Sequence, residues 1–217
     1  FEAVQAFGAK AVADAAKAAG IANVVHVSAI GADAESASAY ARSKAEGEAA
    51  MRAANPGAVI MRPSVVFGPE DRFFNRFAAL ARFLPVLPLI GADTKLQPVF
   101  VGDVAEAIAR ALEGRATAGA TYELGGPEVL TMREIMQMIL DITDRDRMLV
   151  PLPFELAKLK ALFLQFAPGA LKLTPDQVEL LKSDKVVSDA ARDAGLTLQG
   201  LGITPDSMEA ICPQYLW

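Results

Sequence analysis

The 217-residue sequence holds one cysteine, Cys212, one histidine, His26, and one tryptophan, Trp217. A lone cysteine excludes an intrachain disulfide framework. One histidine with one cysteine excludes a zinc site of the ordinary His/Cys kind, so no metal is expected. Cysteine this sparse suits a reducing, cytosol-facing compartment. No dense basic block appears and the net charge is −5, so no nucleic-acid partner is expected. Long apolar runs are missing too, although 53% of the residues are hydrophobic and the mean hydropathy is +0.29. The nearest stretch, Leu156 to Leu173, is broken by Lys158, Lys160, Gln165, Pro168 and Lys172, which excludes a spanning helix but leaves a surface contact open. The first residue is Phe1, and the alanine-rich opening carries Glu2, Lys10, Asp14 and Lys17, unlike a signal peptide. A glycine-rich phosphate loop of the form Gly-x-x-Gly-x-x-Gly is absent. Gly200-Leu201-Gly202 runs into Ile203-Thr204-Pro205 and fits neither its sequence nor its context.

What is present reads as alternating helices and strands. A helix from about Ala3 to Ala19 ends at Gly20, a good C-terminal stop. Asn23–Ser28 is a valine-rich segment of the kind found in buried parallel strands. Ser36 and Ser38 are both suited to cap a helix over Ala39–Ala54, which Asn55-Pro56-Gly57 terminates. A strand over Ala58–Arg62 completes a βαβ unit. Downstream, the pattern predicts a helix over Phe73–Leu84, a proline-rich turn from Pro85 to Gly91 and an extended segment Lys95–Val101. Asp103 is expected to cap a helix Val104–Leu112, followed by a strand Thr121–Leu124. Thr131 to Glu134 and Thr174 to Gln177 are capping boxes, the second with proline at the first helical position. The first of them opens a helix to about Ile142. Met148–Pro151 reads as extended and Pro153–Phe166 as a helix apolar on most faces, more in keeping with a core than with a contact surface.

The residues able to carry chemistry cluster early. Tyr40 and Lys44 are four apart and share a helix face. An ammonium beside a phenol favours the phenolate, so the pair predicts a lowered Tyr40 pKa and a usable proton donor or acceptor. Ser28, at the end of the preceding strand, is placed to hydrogen-bond a substrate oxygen. A bare Tyr-x-x-x-Lys is common by chance and by itself reads as an amphipathic helix with an exposed lysine. Arg62 suits a strand-end or phosphate contact, or an ordinary ion pair. His26, among apolar neighbours, reads as a satisfied core histidine, and Cys212 as inert. Asp71 and Arg72 are expected to pair with each other or with a partner. Trp217 carries no functional reading.

Context gives the pair its meaning. A strand ending in Ser28, then Tyr40-Ala41-Arg42-Ser43-Lys44, then a strand ending in Arg62-Pro63-Ser64, resembles the extended and atypical short-chain dehydrogenase/reductases. Gln97 to Ala105 and Tyr122 to Gly126 resemble that family's later segments. Val27 to Ala32, Phe67 to Asn75 and Leu173 to Val178 resemble one subgroup, the bacterial NAD(P)H-binding accessory subunit of respiratory complex I (NADH:ubiquinone oxidoreductase).

The resemblance implies an α/β fold: a Rossmann-like parallel sheet, incomplete because its N-terminal strands are absent, with a small mixed α+β C-terminal domain. Residues 1–125 would be the C-terminal half of the nucleotide-binding domain, with 95–113 returning to the sheet, and 126–217 a small substrate- or partner-contact domain. A chain lacking the first strands is expected to be a C-terminal portion of a longer protein and poorly stable alone. The cofactor implied is NADP or NAD, bound through Tyr40, Lys44, Arg62, Pro63 and Ser64. In the subgroup it is held structurally, without turnover. The implied partners are other complex I subunits, with peripheral membrane contact on the cytoplasmic side of the bacterial inner membrane. The rival implication is a free-standing cytoplasmic epimerase/dehydratase or reductase, with Tyr40, Lys44 and Ser28 catalytic. A scaffold that has lost nucleotide binding is a third reading, against which the intact Tyr40/Lys44 pair argues.

Overall fold

The structure, a computed structural model, describes residues 3–216; Trp217 lies outside them. The chain opens with wide π-type turns over Ala3–Phe7 and continues as α1 (Gly8–Ala18). The helix expected over Ala3–Ala19 is thus regular only from Gly8. Gly20 follows with φ +67°, the left-handed stop that glycine adopts without a Cβ penalty. Next come β1 (Val25–Val27), α2 (Ala39–Ala54) and β2 (Val59–Pro63). They are followed by β3 (Val66–Phe67), α3 (Phe74–Phe83) and β4 (Val86–Ile90). Two short strands, β5 (Lys95–Leu96) and β6 (Val99–Phe100), lead into α4 (Val101–Leu112). Then come β7 (Thr121–Leu124), β8 (Leu130–Thr131), α5 (Met132–Ile142), β9 (Met148–Leu152) and α6 (Phe154–Leu164). Short helices α7 (Pro175–Leu180), α8 (Asp189–Asp193) and α9 (Met208–Ile211) finish the chain.

The central sheet is parallel with strand order β1-β2-β7, and α2 is the crossover between its first two strands. Two cores flank it. On one face Ala13 of α1 and Met51 and Ala54 of α2 pack on Ala58 and Ile60. On the other, Val104, Ala107 and Ala111 of α4 meet Val59, Met61 and Leu124. Alternate residues of β2 therefore serve opposite cores, as strand pleating requires. β1 was expected to be a buried strand. It is a half-buried edge strand, with Val27 40% exposed, because no strand among the described residues pairs with its far side.

A larger third core lies beyond the sheet. Phe67 and Phe74 join Leu87 and Leu89 of β4, Ile135, Met136 and Ile139 of α5, and Met208 and Cys212. The cores draw on residues before and after residue 125. The proline-rich turn expected from Pro85 to Gly91 is instead strand β4, paired in parallel with β9. Its residues alternate between exposed and buried, and a two-stranded sheet is all edge, where Pro88 need not donate to a ladder. Asp103 does not cap α4, whose N-cap is Phe100. Its buried carboxylate accepts instead from the Asp206 backbone N–H at 2.9 Å, tying the C-terminal segment to α4. Asp71 pairs with the backbone: one oxygen accepts from the N–H groups of Phe73, Phe74 and Asn75. Its other oxygen accepts from the Tyr215 hydroxyl at 2.9 Å.

The core-helix reading of α6 is overturned. Only Ala157 and Ala161 are buried, while Leu159, Leu162, Phe163 and Phe166 face outward. Ala157 and Ala161, with Phe154 beside them, seat the helix on Val178 of α7, and most of its large residues stay outside. No helix among the described residues is long and apolar enough to cross a membrane.

Phe67 touches both Phe74 and Phe100 with ring centroids 5.7 and 5.8 Å apart and is fully buried. Phe67→Ala is expected to cost about 3–5 kcal/mol of stability, read from the shift in denaturant midpoint at constant slope.

Candidate functional site

The site begins with the placement of α2. Ser38 caps the helix, its hydroxyl accepting from Ala41 N–H at 3.3 Å. The Asp176 carboxylate of α7 then closes on the same helix end, accepting from Ala39 N–H at 2.7 Å and from the Ser38 hydroxyl at 3.1 Å. A carboxylate there meets both orphan N–H groups and the positive end of the helix dipole. Tyr40 is the next residue, so its position is fixed from α7. Ser36, the other expected cap, accepts from Ser38 N–H instead.

Tyr40 and Lys44 project toward the end of β1. The Lys44 ammonium donates to Val27 O at 3.1 Å and lies 5.7 Å from the Tyr40 ring centroid. It is held against the ring face, and burial governs both groups: the Tyr40 phenol is raised from its ordinary value and the Lys44 ammonium lowered. The lowered tyrosine pKa expected from the sequence is therefore not found. Desolvation outweighs the lysine charge.

Ser28 follows β1. Its N–H donates to Met61 O at 2.7 Å, fixing the backbone, and its hydroxyl is buried with no hydrogen-bond partner among the described residues. Ser28, Tyr40 and Lys44 line one cavity of about 710 Å³, together with Pro63 and Ser64. The Ser64 hydroxyl is already committed, donating to Lys185 O at 2.6 Å and accepting from Gln97 N–H at 3.3 Å. Arg62 does not reach the cavity. Its guanidinium makes a two-pronged pair with Glu48 of α2, at 2.8 and 2.7 Å, which raises its pKa further. Of the alternatives open to Arg62, the ion pair is the one found, and it is partly buried rather than on the surface.

His26 is not a satisfied core histidine. It is half-buried, and its Nε2 has no partner among the described residues. Burial lowers its pKa, followed by the Lys44 charge, with Glu48 opposing. The ring fits because Gly47 carries no side chain; a Cβ there would lie 3.3 Å from Nε2 and 2.5 Å from the Gln5 carbonyl oxygen. Cys212 is buried against the Tyr215 hydroxyl at 3.6 Å, and burial pushes its thiol up to about 11.

Among the cavity residues not singled out from sequence is the cationic Lys185. Lys185 lies across from Gly31 (φ +88°), where a Cβ would come within 2.9 Å of its ammonium. Its position depends on the pairing of the 183–187 segment with Leu96 and Ser64. That tertiary arrangement leaves no local motif.

The residues fit the nicotinamide end of a dinucleotide. A buried, unpartnered hydroxyl, a phenol and an ammonium share one cavity wall. Nothing among the 217 residues supplies the glycine cradle for a pyrophosphate.

The sequence profile of the RmlD substrate binding domain matches residues 2–162. The chain belongs to that family. Among curated relatives it is 37% identical over 207 residues to the mitochondrial NADH dehydrogenase [ubiquinone] 1 alpha subcomplex subunit 9 of Arabidopsis thaliana, covering 91% of this chain and 50% of that protein. It is 32% identical over 216 residues to the mitochondrial NADH-ubiquinone oxidoreductase 40 kDa subunit of Neurospora crassa, covering 100% of this chain and 56% of that one. The chain thus spans about half the length of the curated relatives it matches. Among solved structures, dTDP-4-dehydrorhamnose reductase of Bacillus anthracis, in complex with NADP, superposes with a TM-score of 0.65 at 18% identity, covering 97% of this chain and 70% of that chain. The fold is accordingly Rossmann-like, and the resemblance to the extended short-chain dehydrogenase/reductases holds at the level of architecture.

Two outcomes follow for the site. Ser28→Ala removes a buried, unsatisfied hydroxyl and is expected to leave stability unchanged or raise it by about 1 kcal/mol, measured by chemical denaturation. Tyr40, with its folded pKa raised, contributes stability that is complete below its unfolded value and lost as pH climbs above about 10. Tyr40→Phe should therefore flatten the alkaline fall in denaturant midpoint.

Proposed function

We propose that this chain is part of a nucleotide-binding accessory subunit of NADH:ubiquinone oxidoreductase, in which NADP or NAD is held as a structural group. The observation that carries this reading is the convergence of Ser28, Tyr40 and Lys44 on one cavity. Its support is a chain similar over nine-tenths of its length to a named complex I subunit. Lys44, anchored by Val27 O, presents its remaining N–H donors toward a ribose. Tyr40 holds its proton at neutral pH, and Ser28 supplies a hydroxyl with unused donor and acceptor capacity. Pro63, ending β2, would stand beside a bound nicotinamide, and Ser64 ties that part of the lining to Lys185 O. A bound nicotinamide would supply hydride chemistry. In this reading residues 1–125 are the C-terminal half of the nucleotide domain and 126–217 the contact domain.

The same reading gives α6 a role. Leu159, Leu162, Phe163 and Phe166, with Lys158, Lys160 and Lys172 nearby, form an apolar, cationic surface suited to peripheral contact with the bilayer or with other subunits of the complex. It would lie on the cytoplasmic face of a bacterial inner membrane.

An intact Ser28, Tyr40 and Lys44 set also favours a second reading, a free-standing epimerase/dehydratase or reductase in the cytoplasm, with Tyr40 as acid/base, Lys44 adjusting it and Ser28 holding the substrate oxygen. Native electrophoresis of gently solubilised membranes separates the two. The protein is expected to migrate with NADH:quinone oxidoreductase activity. Lys44→Ala should release most of the retained nucleotide, while Tyr40→Phe leaves the quinone reductase rate near wild type. Migration as a small soluble species, with a reductase activity that Tyr40→Phe abolishes, would establish the free enzyme.

A further inference from the structure

The nicotinamide end accounts for one wall of the cavity. The remainder is built differently. Phe77 and Leu80 of α3, Leu89 of β4, Leu164 of α6 and Leu181 surround a largely apolar interior. The charged residues on the lining are all cations: Lys44, Arg72, Arg76 and Lys185, with no aspartate or glutamate among the described lining residues. In a chain of net charge −5 that segregation is marked.

The lining cations differ in how they are engaged. Arg76 donates through Nε to Ala170 O at 2.8 Å and lies over the Phe77 ring. Lys44 is tied to Val27 O. Lys185 donates to a neutral oxygen, the Ser183 hydroxyl, at 2.6 Å, and is half-buried beside Gly31. Burial lowers its pKa, the sign of a charge short of compensation, with Asp184 opposing. Its backbone is held at both faces, donating to Lys95 O and accepting from the Ser64 hydroxyl, so the ammonium is presented from a fixed base. An apolar chamber of this size, with a few convergent polar groups, has the make-up of a small-molecule site.

We propose that the cavity binds an amphiphile made of a long aliphatic chain and an anionic headgroup, the chain lying between α3, β4 and α6 and the headgroup meeting Lys185. The apolar lining selects the chain. The uniformly cationic charged lining selects the sign of the headgroup, since an anion there gains charge-assisted hydrogen bonds and meets no carboxylate of the described lining. Leu164 and the exposed Leu171 line the cavity on the segment whose other residues form the exposed apolar surface around α6. The inference does not depend on nucleotide binding, because Lys185 and the apolar chamber lie outside the Ser28, Tyr40 and Lys44 set.

The test is a calorimetric titration of the full-length protein with oleate and with oleyl alcohol, both below their aggregation limits, beside a parallel titration with NADPH. Oleate is expected to bind about tenfold or more tighter than the alcohol, the scale of one hydrogen bond to a charged group. Lys185→Gln should bring oleate down to the affinity of the alcohol, which itself stays unchanged. Lys185→Arg should keep the preference for the acid, and Leu164→Trp, which fills the apolar chamber, should weaken both probes. Equal binding of acid and alcohol, indifference of oleate to Lys185→Gln, or failure of both probes to bind would each overturn the proposal. Loss of NADPH binding alone would count against the nucleotide reading and leave this one standing.

Discussion

A single carboxylate holds the site together. Asp176, on the short helix α7, closes the N-terminus of α2 by accepting from Ala39 N–H and the Ser38 hydroxyl. Without it the first turn of α2 would keep only its local cap. With it, the helix that carries Tyr40 and Lys44 is clamped to a segment from the other end of the chain. Asp176 itself stands in the first turn of α7, whose start is set by the capping box of Thr174 and Gln177 and by Pro175. A local signal that fixes one short helix thus fixes, through one side chain, the geometry of another.

That arrangement explains why so much was legible and where legibility ended. α2, β7 and α5 stand where serine and threonine caps, a clear hydrophobic period and Asn-Pro-Gly or Gly-Gly punctuation put them. These are properties of ten or fifteen neighbouring residues. β4 escaped because two prolines read as a turn and Val86 to Ile90 is apolar throughout, its alternation showing only in burial; its partner β9 comes from far along the chain. The mismatch at α6 has the same origin. Its leucines recur at spacings that suit a core, but only its alanines are fully buried, with Phe154 and Leu164 partly covered and the other large residues outside.

The site residues divide along the same line. Ser28, Tyr40 and Lys44 were named from their place on a strand end and a helix face, Pro63 and Ser64 from the family resemblance, and all five line one cavity. Arg62 was named with them but points to the other face of its strand, where Glu48, one helical turn beyond Lys44, takes its guanidinium. Alternation along β2 carries that distinction: Pro63 and Arg62 cannot both face the cavity. Lys185 and the unpartnered Nε2 of His26 had no local signature at all, because each depends on where a distant segment ends up.

The last turn of the chain is tied inward at several places. Tyr215 reaches Asp71, the group that organises the start of α3, and Met208, Cys212 and Leu216 lie within the same core as Phe67 and Ile135. Asp206 is held by Asp103. The largest core is therefore complete only once Met208, Cys212 and Leu216 have joined Phe67 and Ile135. Contacts that span most of the sequence carry a high loop-closure cost before they return any stability. Until that last segment docks, α3 and α5 keep part of their apolar faces uncovered, so the same contacts that complete the core also shield it.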